Sequence, residues 1–554
     1  MACITRRALG VLLLSVLLSG ALLIGLFTHS VTILQTPSFS AKEEERPPID
    51  PSQHPILVLA ERAEAAFHEL LARQSETYEE AVTEYRRRYQ RSPPPGFKHW
   101  YSYAVAEKSP IIDDFDVLDA AITPFLSHSG ATIQEQIASA RESDSATWEC
   151  TIHNRRLGAG CERLSEPILR LFADARILPY LPDVAMLFNA LDEPRVLLQQ
   201  RNISRALHSA SAVEFTDFDR HDVWDLAVKA QCQQQRDAGL RKGSGDRRDL
   251  MESFGLSLVQ DNFEVVDVCR HPEYRGLHAF FTSPGNWRAT KAAVPILSPA
   301  VVSTMGDIPY PAAAYNSGGY KFEESDAVKW DRKTNALYWA GKTTGGLQKG
   351  EDEWKQFHRH RFVSLTNDME PRPFTYLQRD EDGGDWRRVE REDLNTTSYH
   401  TYFTDVVQCD KEACNSVREY FDIHEGDPPG ETSKYTLNFD SDGNGHSGRY
   451  YRLLASYSLP LKSTVFREWH DDRLQPWLHY VPISLGMDEL PEVVRYLVEE
   501  EEGRELAERL AMKGRQWTLK ALRPVDQVVY LYRMMLELAR AQDPKRPALR
   551  VMSS

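Results

Sequence analysis

Three short runs in this 554-residue chain hold residue types that grip phosphate or move protons. The first is Asp440-Ser441-Asp442-Gly443-Asn444-Gly445-His446-Ser447-Gly448-Arg449. It follows an apolar stretch, 435–439, that reads as a strand, and it precedes an apolar stretch that reads as a helix. Strand, glycine-rich loop and helix form the phosphate-binding unit of α/β folds. Glycine lets backbone approach an anion, and the free N–H groups at the helix start point at it. Arg449 stands at that start, where a guanidinium can fork onto phosphate oxygens, and Ser447 and Gly448 offer their amides. The run also imitates metal sites. It opens like a calcium loop, but its twelfth position is Tyr451 rather than a bidentate glutamate. Asp440-x-Asp442 also has the spacing of carboxylates that bridge a divalent metal to a diphosphate.

In the second run, 181–194, a strand candidate at 184–188 ends and Asp192 follows. Reactive groups of α/β sheets gather at the carboxyl ends of strands, and a carboxylate there can take a proton from a hydroxyl. A helix cap or turn residue is the plain alternative. Asp183 reads as structural. In the third run, 336–346, a strand opens into Gly341, Lys342, Thr343 and Thr344. Gly341 admits a ligand close to the backbone and Lys342 brings a point charge; a tight surface turn is the alternative. Asp113, Asp114 and Asp116 read as a solvated acidic turn. His271 reads as a hydrogen-bonded structural histidine, and Trp477, His479 and Tyr480 as packing for a third strand and the cleft wall.

The elements that position these runs are legible in outline. The chain is 42% apolar and 27% charged with net charge −15, a globular balance that argues against nucleic acid as partner. An anionic ligand must therefore be gripped locally. Residues 8–28 carry no charge and span roughly 30 Å as a helix, enough to cross a bilayer. Arg6 and Arg7 predict a cytoplasmic tail at 1–7 and a lumenal remainder. A cleaved signal peptide ending at Ser19-Gly20-Ala21 is the alternative. Sequons at Asn202 and Asn395 agree with the lumen. Cys3 falls on the cytoplasmic side. Cys150, Cys161, Cys232, Cys269, Cys409 and Cys414 are disulfide candidates; proximity favours pairing in that order, with the connectivity open. No C-x-x-C pair exists to suggest zinc. A polar stem, 29–55, precedes a helical extension, 56–149, whose first helix spans 56–91 and stops at Pro93-Pro94-Pro95-Gly96. Two α/β stretches follow, 150–325 and 326–541, the second ending in amphipathic helices at 490–522 and 525–541, then a tail, 542–554.

Together these runs resemble the CAP10-type glycosyltransferases, which include protein O-glucosyltransferases and fungal capsule xylosyltransferases. The resemblance rests on the loop run from 434 onward, on Pro182-Asp183-x-x-Met186 followed by Asp192, and on Asp307-Ile308-x-Tyr310-Pro311. It implies a GT-B-like α/β fold, with two Rossmann-like halves facing a cleft, extra N-terminal helices and a transmembrane helix. It implies Asp192 as catalytic base, with Gly341, Lys342, Thr343, Thr344, Ser447, Gly448 and Arg449 around a UDP-sugar. The donor would be UDP-xylose or UDP-glucose, a co-substrate rather than a cofactor, and the acceptor a hydroxyl of a glycan or glycoprotein. Transfer would invert configuration and need no metal. The compartment would be the Golgi or endoplasmic reticulum, through a single-pass type II anchor. One departure stands out: the family pattern has arginine where this chain has Ala340. Either Lys342 replaces that charge or donor binding is altered. The alternatives are an inactive lumenal sugar-nucleotide- or glycan-binding protein and a metal-dependent enzyme using Asp440 and Asp442.

Overall fold

The computed structural model describes residues 50–143, 146–174, 176–198, 212–237, 254–380, 383–428 and 430–549, with a short strand pair at 34–35 and 551–552. The apolar segment 8–28, Cys3, most of the 29–55 stem and the Asn202 sequon lie outside the described residues. Among the described residues, no helix is long and apolar enough to cross a membrane.

Two five-stranded sheets organise this α/β chain. The first holds β1 (Thr147–His153), β2 (Arg156–Leu157), β3 (Val184–Asn189), β4 (Ile296–Ser298) and β5 (Ile308–Pro309), in the order β2-β1-β3-β4-β5. Strands β3, β4 and β5 are parallel, whereas β1 runs antiparallel to both its neighbours. The second sheet holds β6 (Thr334–Lys342), β7 (Tyr399–Asp405), β8 (Tyr435–Ser441), β9 (Leu459–Ser463) and β10 (Val481–Pro482). Its order is β7-β6-β8-β9-β10, parallel throughout. Leu337, Trp339, Leu437, Phe439, Leu459 and Leu461 are all buried, the near-continuous apolar pattern of strands covered on both faces. The chain adds β7 on one side of β6, then returns to add β8, β9 and β10 on the other. The connections diverge at the carboxyl ends of β6 and β8 and leave a crevice there, the place where open parallel sheets bind ligands.

The helices tie the two sheets together. The expected single helix at 56–91 is two, α1 (Pro55–Ala72) and α2 (Tyr78–Tyr89). Thr77 restarts the chain with a capping box, in which its hydroxyl accepts the Glu80 N–H and the Glu80 side chain accepts the Thr77 N–H. The chain continues into α3 (Phe97–Ala106), and beyond several further helices two more, α4 (His358–Thr366) and α5 (Tyr450–Ala455), flank the second sheet. The expected helix at 490–522 breaks at the extended residue Glu500 into α6 (Leu490–Glu499) and α7 (Glu501–Ala521). The last helix, α8 (Pro524–Gln542), crosses back onto the first sheet. Its Gln542 side chain exchanges two hydrogen bonds with the Ala185 backbone of β3, at 3.0 and 2.8 Å. Tyr530 donates its hydroxyl to Pro309 O of β5 at 2.9 Å, and Val529 O accepts from the Trp100 indole of α3 at 2.9 Å. The three proximity pairs Cys150–Cys161, Cys232–Cys269 and Cys409–Cys414 are all formed. His479 is buried; its ring stacks on Trp517 of α7 and meets Phe67 of α1 edge-on.

The acidic cluster is not a solvated turn. Asp113 and Asp114 are buried. Asp114 pairs with Arg73 at 2.6 Å and Arg88 at 2.8 Å, and Asp113 accepts the Ser75 N–H at 2.6 Å. The basic residues of α2 and of the turn before it make that burial possible, because a buried carboxylate persists only when paired and hydrogen-bonded. Asp114→Ala leaves the buried Arg88 without its main partner. It should lower the unfolding free energy by about 3 kcal/mol, read from urea denaturation.

Candidate active site

The crevice at β6 and β8 is built from backbone first. Strand β6 carries a register shift between Gly341 and Lys342 where it meets β7. A methyl group on Gly341 would meet the Arg449 guanidinium at 3.0 Å, so the missing side chain is what lets Arg449 lie across the strand end. Arg449 donates to Ala340 O at 2.9 Å, and its guanidinium sits 5.8 Å from the Trp339 ring centroid. The position where the family pattern has an arginine is thus spanned by Arg449 from the neighbouring strand's loop.

A second guanidinium, which the sequence reading missed, shares this place. Arg359, on α4, donates to Asp442 O at 2.8 Å, Lys342 O at 2.9 Å and Thr344 Oγ1 at 2.6 Å, and it too lies 5.8 Å from the Trp339 centroid. These bonds of both arginines run to neutral oxygens. Burial, followed by the Arg449 charge, pushes Arg359 down to about 9. Two like charges held side by side at a strand-end crevice form a ready seat for an anion. The signal for Arg359 was present in His358-Arg359-His360-Arg361, a basic run at the head of the otherwise apolar α4. Helix α5 is only six residues long with Arg449 as its N-cap, so its dipole is small and the guanidiniums supply the charge. Lys342 points elsewhere: its ammonium pairs with Asp405 at 3.1 Å, both side chains about half exposed.

The remaining predicted residues of the crevice brace the loops. Thr343 is buried, its hydroxyl donating to Val407 O at 3.0 Å and accepting the Val407 N–H at 2.9 Å. Ser447 gives its hydroxyl to Asp440 at 2.5 Å. Gly448 leaves room for the Tyr320 ring, which a methyl there would meet at 3.1 Å. The two aspartates of the D-x-D run are buried and engaged. Asp440 also holds Lys462 at 3.1 Å, and Lys462 in turn holds Glu468 at 3.4 Å, which accepts the Tyr315 hydroxyl. Asp442 accepts the Val465 N–H at 3.0 Å and lies 3.2 Å from His278 Nε2. Burial raises Asp442 to about 6 and lowers His278 to about 3.

Asp192 comes to this loop from the first sheet. It follows the carboxyl end of β3 and is exposed. Asn444 Nδ2 lies 3.4 Å from its carboxylate, while Asn444 Oδ1 accepts the Gly345 N–H at 3.1 Å. One side chain therefore links the Asp192 turn, the glycine-rich loop and the segment after β6. A methyl on Gly445 would stand 2.4 Å from Asp192 O, so the two backbones are in contact. Behind Asp192, Glu193 is buried and accepts the Asn286 N–H at 3.1 Å; burial pushes its carboxyl up. Asp307 fixes the rest of the turn. It accepts the N–H groups of Arg195 and Val196, at 2.9 and 2.7 Å, and the Ser298 hydroxyl at 2.6 Å. The Asp307 run thus anchors the Asp192 turn from below. His271 bonds Glu273 and Glu264 O and stacks on Tyr274, a structural role. Asp183 likewise accepts the Asn154 N–H at 2.8 Å. Asn395 is exposed, as a sequon requires.

Residues 284–548 match the model of glycosyl transferase family 90. Over 113 residues the chain is 33% identical to protein O-glucosyltransferase 3 of Rattus norvegicus and 31% identical to that of Homo sapiens. Over the same length it is 26% identical to protein O-glucosyltransferase 2 of Danio rerio. Each match covers 20% of this chain and 22% of the relative, so the chain spans about a fifth of the length of the relatives it matches. The family match contains the crevice at β6 and β8, and Asp192 lies N-terminal to it. Residues 284–548 are thus similar to glycosyl transferase family 90, the CAP10 family that the glycine-rich loop resembles.

Proposed function

We propose that this protein transfers a sugar, glucose or xylose, from a UDP-sugar to a hydroxyl of a glycan or glycoprotein. The observation that carries the reading is the contact of Asp192 with Asn444 and Gly445, which brings a carboxylate to a loop whose next residues lead to Arg449. The donor diphosphate would lie between Arg449, Arg359 and the loop amides, with the sugar directed toward Asp192. The acceptor oxygen attacks the anomeric carbon as its proton passes to the Asp192 carboxylate. The bond to the diphosphate oxygen breaks with its electron pair, and the two guanidiniums stabilise the charge that gathers on UDP. Attack opposite to departure inverts the anomeric centre. The two sheets, meeting at this groove, would then act as an acceptor half and a donor half in the GT-B manner.

Transfer without metal suits the engaged state of Asp440 and Asp442, each already bonded inside the protein. The binding-only alternative draws on Ala340, and the pair Arg449 and Arg359 weighs against it, because both bring positive charge to the strand end at Ala340. The three disulfides and the exposed Asn395 support a secretory lumen as the compartment, with residues 8–28 as the proposed anchor.

Release of UDP from UDP-glucose and UDP-xylose in the presence of acceptor hydroxyls, with EDTA present, is the direct test. Asp192→Asn should lower turnover by roughly 10²–10⁴-fold, the contribution of a general base; full turnover would remove Asp192 from that role. Arg449→Ala should weaken UDP binding by about 1.5–3 kcal/mol in a calorimetric titration. Gly445→Ala forces the Asp192 backbone away and should cost about 10²-fold in turnover with UDP affinity nearly kept, since a shift of about 1 Å at the reacting centre has that effect.

A further inference from the structure

Beside the Asp192 turn lies a cavity of about 670 Å³. One wall is made by Ala146, Leu191 and the antiparallel pair in which Asp217 faces Arg288; the other by Leu347 and Lys349, from the segment after β6. It shares a partition with the reactive carboxylate. Leu191 lines it directly. Asn286 lines it while donating its N–H to Glu193, the residue next to Asp192. The rim is held in place by named bonds. Arg220 donates to Ser283 Oγ at 2.6 Å and pairs with Glu353 at 2.9 Å, joining the two walls. Trp287 donates its indole N–H to Pro194 O at 3.0 Å, and the Phe218 ring lies 5.5 Å from it.

The chemistry of the lining selects the occupant. Asp219, His221 and Lys349 are exposed around the half-buried Phe218. That combination puts acceptors and donors around an aromatic side chain, itself 5.6 Å from the Lys291 ammonium, a mixed lining that suits a sugar ring with its hydroxyl edges and C–H faces. The volume lies in the range of roughly 300–1,000 Å³ that holds small ligands. A folded protein partner would instead need a broad surface of about 800 Å². We propose that this cavity is a carbohydrate site that seats a neutral mono- or disaccharide unit and presents one of its hydroxyls past Leu191 to Asp192. The inference rests on the glycosyl-transfer reading above and names the acceptor class for it: a sugar already in place, free or attached to a protein, rather than a bare polypeptide side chain.

The test uses the full chain without nucleotide and reads saturation-transfer NMR with methyl glycosides of glucose, galactose, mannose and xylose. At least one should bind. Phe218→Ala should abolish the signal, and the isosteric Asp219→Asn should weaken binding by about 10-fold or more, as loss of a hydrogen bond to a charged group does. In the transfer assay the same variants should raise the acceptor KM by about 10-fold while UDP affinity stays unchanged. A glycopeptide carrying the bound sugar, run beside the methyl glycoside, assigns the protein-linked source if it binds more tightly and the free source if it does not. Failure of all four glycosides to bind, or equal binding by both variants, overturns the assignment. So does transfer onto an unglycosylated serine peptide with an unaltered KM in both variants. Glycoside binding that both variants lose, with no transfer from any UDP-sugar, keeps the cavity assignment and removes the enzymatic reading instead.

Discussion

The contact between the Asp192 turn and the glycine-rich loop is the constraint on which the rest of this site depends. Two sheets supply the two sides, and beside the reactive carboxylate they meet through the Gly445 backbone against Asp192 O and the Asn444 side chain between the Asp192 carboxylate and the Gly345 amide. No residue larger than glycine fits at 445 without moving main chain. The arrangement holds because each partner is fixed from behind, Asp192 by the Asp307 carboxylate under Arg195 and Val196, and the loop by Asp440 bonded to Ser447 and Lys462. Rigid supports below a sparse contact set the position of the carboxylate more tightly than a loop alone would.

Charge is segregated around that contact. The chain carries a net charge of −15, yet Arg359 and Arg449 flank Trp339 and bond to neutral oxygens. The acids that precede Arg449 in its loop, Asp440 and Asp442, are turned inward and bonded to Lys462 and to the Val465 N–H. In an anionic protein this gathers positive charge at one crevice among the described residues, the place proposed for the donor diphosphate. The parallel sheet puts that place at its carboxyl edge, where the strand order reverses and no crossover covers the end of the crevice.

The C-terminal helix explains how two sheets act as one body. It ends the part of the chain that builds the second sheet, but packs on β3 and β5 of the first and on α3. A hinge between the sheets must therefore work against these bonds and the buried tyrosine and tryptophan surfaces beside them. The ion-paired cluster at Asp113 and Asp114 closes the same wrap from the N-terminal side.

The sequence alone determined the local elements that have strong periodicity or strong punctuation. The strands at Val184, Ala336 and Tyr435 and the glycine-rich loop follow from apolar runs and glycine positions, short-range signals; cysteine proximity favoured the three disulfide pairs and left the connectivity open until the fold paired them. Helix breaks at Thr77 and Glu500 and the burial of Asp113 and Asp114 were not legible, because caps and partner arginines decide them. Only the tertiary structure decided which charges share a crevice. Lys342 read as a phosphate ligand by its place in the run, yet it pairs with Asp405, while Arg359, from a helix 17 residues later (359 − 342), reaches over Trp339 beside Arg449. The physical reason is range: spacing along a chain fixes the face of an element, but the neighbour across a sheet is set by strand order, which residue types do not encode locally.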